Sequence, residues 1–131
     1  MDDGKLDALG QTIVSALGGA ASAHAVAFNQ LTVTVDAAKI VEVMKYLRDD
    51  PALRFVNFTD ATAVDYPGRE KRFDVVYHLL SLTRNQRIRI KAQVGEGEAI
   101  PSIISIYPAA NWFEREAFDM FSELTESIRE D

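Results

Sequence analysis

The stretch from Arg72 to Leu82 constrains the fold more than any other part of the chain. Phe73, Val75, Tyr77 and Leu79 occupy one phase of a two-residue repeat, and Val76, His78, Leu80 and Leu82 the other. Alternate residues of a strand point to opposite faces. A strand so apolar in both phases is expected in the middle of a sheet, covered on both sides. Arg84-Asn85-Gln86 turns the chain, with Asn85 as the left-handed residue. Ile88, Ile90, Ala92 and Val94 then alternate with Arg87, Arg89, Lys91 and Gln93. That pattern predicts a partner strand, buried on one face and basic and solvent-accessible on the other.

Three segments carry helical spacing instead. Leu6, Leu9, Ile13 and Leu17 recur every three or four residues, and Gly18-Gly19 ends that run. Asp36 suits the N-cap of a second helix, whose buried stripe is Ile40, Val43, Met44 and Leu47 and whose stop is Pro51. A third begins near Ala109, with the stripe Phe113, Ala117, Met120, Phe121, Leu124 and Ile128. Because Leu124 and Ile128 stay in register, it is expected to continue to about Ser127. Between helices, Val26-Ala27-Phe28 and Leu31 to Val35 read as a hairpin joined by Asn29-Gln30. Phe55 to Phe58 begins another strand, Asp60 to Asp65 is less regular, and Tyr66-Pro67-Gly68 turns. Gly95 to Glu98 reads as a flexible loop and Pro101 to Pro108 as extended chain. The expected fold is one α+β domain spanning residues 1–131, a mixed, mostly antiparallel sheet with about three helices packed on it.

Composition narrows function mainly by exclusion. A chain of 131 residues with 47% hydrophobic residues can bury a sizeable core. A net charge of −6 disfavours nucleic acid and anionic lipid as general partners, since both are polyanions. The apolar runs are short, so direct membrane insertion is not expected. With no cysteine there is no disulfide, no thiol nucleophile and no thiolate ligand for zinc or an iron–sulfur cluster. The acidic N-terminus, Met1-Asp2-Asp3-Gly4, is unlike a secretory signal.

No catalytic constellation stands out. Glu116 and Asp119 share a helical face, but no nucleophile or imidazole accompanies them, so they read better as a solvated or interfacial acidic face than as an acid/base pair. His24 and His78 lie on separate strands, and His78, amid Val76, Tyr77, Leu79 and Leu80, is expected to be a hydrogen-bonded core histidine rather than a metal ligand. The Arg87, Arg89 and Lys91 stripe lacks the interleaved aromatics of a nucleic-acid surface and reads as solvated or protein-facing. The sharpest cluster is Trp112, Glu114, Arg115, Glu116 and Asp119. On a helix, Trp112, Arg115, Glu116 and Asp119 lie together beside the apolar stripe, which is the composition of a protein-interface hot spot. An intramolecular ion-pair cluster has the same composition, and both readings stand.

The same cluster carries a resemblance. Glu114-Arg115-Glu116, two residues, then Asp119-Met120-Phe121 resembles the signature of the 30 kDa subunit, or C subunit, of NADH-quinone oxidoreductase, respiratory complex I. Leu47-Arg48-Asp49-Asp50-Pro51, Ala63 to Arg69, Val75 to Leu82 and Pro101-Ser102-Ile103 are similar to the same family, in its order. The resemblance implies a structural subunit with no catalytic, cofactor or metal site of its own. FMN and iron–sulfur clusters would reside in other subunits of the hydrophilic arm. Its implied partners are chiefly the quinone-site subunit and the terminal-cluster subunit. Its implied place is peripheral, on the cytoplasmic face of the bacterial inner membrane or the matrix side in an organelle. The alternative is a free-standing interaction adaptor that keeps the fold but not the complex. One departure bears on assembly and not on the fold: where the family continues from Phe121 with a glycine and a basic segment, this chain has the acidic Ser122 to Asp131.

Overall fold

The computed structural model describes residues 3–95 and 100–120. Helix α1 (Asp3–Leu17) leads through a turn of 3-10 helix into strand β1 (Ala21–Ala27), which pairs with β2 (Gln30–Val35). After α2 (Ile40–Asp49) come β3 (Asn57–Asp65), β4 (Phe73–Ser81) and β5 (Gln86–Val94), and α3 (Asn111–Met120) follows. The sheet order is β1-β2-β5-β4-β3, with every pairing antiparallel except β2 with β5. The expected α+β fold with three helices and a mixed, mostly antiparallel sheet is the one observed.

Local chemistry accounts for most boundaries. Gly18 takes φ +57° at the end of α1, a conformation with little steric cost for glycine. The Asp36 carboxylate accepts from the Ala38 amide at 3.0 Å and caps the 3-10 turn that leads into α2. Asp50, the residue before Pro51, is extended and ends α2. Asn85 is left-handed at φ 52°, as expected. Two details differ. The β1–β2 turn is centred on Phe28 and Asn29, both at positive φ, one residue earlier than Asn29-Gln30. These signs are those of a type I′ turn, whose twist matches the hairpin, so turn geometry overrides the Phe28 side chain and leaves it 97% exposed. And Asp60 to Asp65 is not irregular: β3 runs through it, with a bulge between Phe58 and Asp60 that absorbs the break in alternation.

Register puts the core on one side of the sheet. Tyr77 lies opposite Ile90 and Ala61, Ile90 opposite Val33, and these share a cluster with the α1 and α2 stripes and with Phe113 of α3. Val75, Tyr77 and Leu79 are buried, and β4 is an interior strand paired with β5, as predicted. The other face of β4 overturns the expectation of two-sided cover. Val76, His78 and Leu80 are only half-buried and Leu82 is 68% exposed, because the packed helices contribute to the single core on the opposite side. His78 is accordingly not a core histidine. Arg87 is exposed and Arg89 and Lys91 are half-buried on that same open face.

The close approach of α1 to the hairpin depends on Gly10. A Cβ there would stand 2.5 Å from Cδ2 of His24 and 2.8 Å from Cδ1 of Leu31. Gly10→Ala is expected to destabilise the fold by about 1–2 kcal/mol, overpacking outweighing the better helix propensity of alanine. Urea unfolding checks this, and an unchanged or raised midpoint would show that the helix shifts freely.

Candidate functional site

Residues 100–107 carry no regular secondary structure, and α3 holds them in place. Ile100, Ile103 and Tyr107 are buried in the core, so the segment is pinned, and a turn at residues 104–106 interrupts the extended run expected from its sequence. The pin is Glu114, 3% exposed. Its Oε1 accepts from the Ser102 hydroxyl at 2.6 Å and its Oε2 from the Ile103 amide at 3.0 Å. Ser102 Oγ in turn accepts from the Ile104 amide at 3.2 Å. The Ile106 and Tyr107 amides donate to the Ile103 carbonyl, closing a turn. Tyr107 reaches across to donate to the Phe55 carbonyl, and Arg48 of α2 donates to the Ile106 carbonyl at 3.2 Å. Burial pushes the Tyr107 phenol up and keeps it a donor. Burial, with a smaller contribution from the Glu114 charge, pushes the Tyr77 phenol up as well.

The five sequence candidates therefore part company. Glu114 points inward and organises a loop. Trp112 is 44% exposed and Arg115 and Glu116 are exposed. Trp112 is edge-on to Phe113 at 6.1 Å, which anchors the indole on the core while leaving much of it open. Among the described residues neither Arg115 nor Glu116 forms an ion pair. Asp119 lies on α3, and its side chain, like the expected continuation of the helix to Ser127, falls outside the described residues. Sequence reasoning missed the partners of Glu114: nothing in periodicity marks Ser102, since a hydroxyl in a loop gives no sign of the carboxylate it will meet.

A second polar array crosses the open sheet face. Asp60, His78, Arg89 and Thr32 are successive cross-strand neighbours on β3, β4, β5 and β2. Arg89 Nε donates to Thr32 Oγ1 at 3.0 Å. Partial burial, then the positive charge of Arg89, lowers the His78 pKa, with Asp60 opposing. His78 is thus neutral near pH 7 and adds no cation. At the far end of the β3–β4 hairpin, Arg72 grips Asp65 with two hydrogen bonds of 2.6 and 2.9 Å, and Arg69 pairs with Asp74. These pairs belong to the Ala63–Arg69 stretch and its flank, and they hold the hairpin end together. Among the described residues no group of three or more His, Cys, Asp and Glu could hold a metal ion, and no helix is long and apolar enough to cross a membrane.

Comparison with known proteins agrees with the resemblance. Residues 33–122 match the family model described as respiratory-chain NADH dehydrogenase, 30 Kd subunit. A protein of Rhodopseudomonas palustris (strain TIE-1), named as the C subunit of NADH-quinone oxidoreductase, is 64% identical over 121 residues, covering 92% of this chain and 59% of that protein. A protein of the same name from Caulobacter sp. (strain K31) is 54% identical over 116 residues, covering 88% of this chain and 54% of that protein. The chain thus spans somewhat over half the length of these relatives. The matched residues include β3, β4, β5 and the second half of β2, together with α2 and α3, the elements that build the sheet face and the Glu114 pin. This chain belongs to the 30 kDa subunit family of the respiratory-chain NADH dehydrogenases.

Proposed function

We propose that this chain acts as a non-redox structural subunit in the peripheral arm of an NADH-quinone oxidoreductase, supporting assembly around the quinone-reducing module. The observation that carries the reading is the collinear family match over residues 33–122. The chemistry of the chain is consistent with it: a sequence without cysteine has no thiolate for an iron–sulfur cluster. Electron carriers, FMN and the clusters, then reside in partner subunits, chiefly the terminal-cluster subunit, with the quinone-site subunit as the other main neighbour. Attachment to the cytoplasmic face of the membrane is through those partners. Trp112, Arg115, Glu116 and Asp119 of α3 are the candidate contacts, and Glu114 supports them from behind by fixing the adjoining loop.

The test is affinity purification of the tagged chain from membranes, followed by identification of what accompanies it. Recovery of the cluster-bearing and quinone-site subunits in near-equal amounts is the expected result. Recovery of the chain alone, with the oxidoreductase intact in the unbound fraction, would favour a free-standing adaptor. The isolated chain is also expected to unfold at the same urea concentration with and without chelator. A loss of more than about 1 kcal/mol on chelation would reveal a structural metal.

A further inference from the structure

The open sheet face presents a two-column grid. On β4 stand Leu80, His78 and Val76, and directly opposite them on β5 stand Arg87, Arg89 and Lys91. The three cations are two residues apart on one strand, so like charges are held roughly 7 Å from one another. Among the described residues none of them enters a salt bridge, whereas Arg48, Arg69 and Arg72 each have a carboxylate. A chain of net charge −6 has acids to spare, yet among the described residues the acids of β3 and β4 on this face next to the grid are Asp60, beyond His78 on the β3 side, and Asp74, two residues from Val76 on β4 and already paired with Arg69. A shallow depression of about 140 Å³ opens here, with His78, Arg87 and Arg89 among its walls. That volume holds one side chain and is well below the roughly 300 Å³ at which small-molecule pockets begin.

We infer that this face docks an acidic segment of a partner protein, one of its carboxylates seated in the depression against Arg87 and Arg89 and a neighbouring apolar side chain covering Val76 and Leu80. Charge complementarity selects the occupant. A membrane surface or a nucleic acid would bring many negative charges up to a chain that is itself strongly negative, and the repulsion acts over the whole molecule. A short acidic peptide stretch meets the three cations locally, where seating a carboxylate also relieves their mutual repulsion. The half-buried Val76 and Leu80 supply apolar contact that an ion alone would not use. The surface lies on the sheet, and the α3 cluster is a separate patch. The identity of the partner as an oxidoreductase subunit rests on the assembly reading above, but the chemistry of the occupant does not.

The test places a photo-crosslinking amino acid in place of Val76 in the full chain, and in a second protein in place of Gln11 on α1, in cells whose own copy has been removed. Irradiation of the assembled material is expected to give one protein adduct from the Val76 site, mapped by mass spectrometry to a segment rich in Asp and Glu. Adding Arg87→Glu, Arg89→Glu and Lys91→Glu is expected to lower that yield about tenfold with an unchanged unfolding midpoint. The Gln11 site is expected to give no adduct to that segment. An adduct to lipid or nucleic acid, an adduct to a segment without acids, or a bare Val76 site in material that copurifies with the oxidoreductase overturns the inference. If the chain fails to accompany the oxidoreductase but Val76 still captures an acidic protein segment, the docking surface stands and the assembly reading falls. Mapping at Val76 decides the matter even if the triple variant unfolds.

Discussion

Replacing Glu114 by alanine is expected to lower the unfolding free energy by about 3 kcal/mol. Glu114 is 3% exposed, and its carboxylate accepts from the Ser102 hydroxyl and the Ile103 amide. Removing the acceptor leaves both donors in a place water does not reach, at roughly 1–3 kcal/mol for each group left unsatisfied. The hydroxyl can rotate toward another acceptor, but the amide has no such freedom. Loss of the pin should also release Ile100 and Ile103, so the effect spreads into the core. Glu114→Gln is expected to cost less, because the amide oxygen can still accept from Ile103 while its nitrogen donates to Ser102. Urea unfolding of the two variants gives the comparison. Equal, small losses for both would mean that the segment is held by its apolar contacts and that the carboxylate is incidental.

Arg115→Ala is expected to behave in the opposite way. Arg115 is exposed and forms no ion pair among the described residues, so its removal should leave stability within about 0.5 kcal/mol. Capture of the subunits proposed as partners should instead weaken by about 2 kcal/mol, a factor near 30 in affinity, if its guanidinium meets a carboxylate in a water-excluded contact. Trp112→Ala should weaken capture by a similar amount, since a half-exposed indole anchored on Phe113 can bury the rest of its surface against a partner. Measuring both affinity and unfolding separates the alternatives. A variant that unfolds more easily but binds normally would identify the cluster as intramolecular. The contrast with Glu114 is the informative part: adjacent residues of one helix turn are predicted to differ in kind, one acting on folding and the other on association.

Much of the architecture was legible without coordinates because its causes are local. The three helices follow from apolar spacing, Asp36 caps because its own side chain reaches Ala38, and Asn85 turns because asparagine tolerates a left-handed backbone. The pairing of β4 with β5 follows from a tight turn between two alternating runs. The family, too, is written in short collinear stretches that require no folding to be seen. Where local signals were weak or two-valued, expectation and structure diverge. Phe28 looked like strand and lies in the turn, and the break in alternation at Asp60 concealed a bulge.

What the tertiary structure alone decided is which surfaces meet. An apolar run cannot say whether both of its faces will be covered, because cover is supplied by elements distant in sequence. Here α1, α2 and α3 all join one core, and the second face of β4 is left half-open beside three cations. Nor can a helix pattern say that Glu114 will turn inward while Arg115 turns out. The spacing places Glu114 next to the Phe113 stripe, on the margin between core and surface. Its fate depends on whether a donor pair waits there, and that pair comes from Ser102 and Ile103 in a loop without periodicity of its own. Local sequence determines the elements because their hydrogen bonds and caps close within a few residues. Burial of a polar group is settled only when chain remote in sequence arrives with the matching donor, and that is a property of the fold.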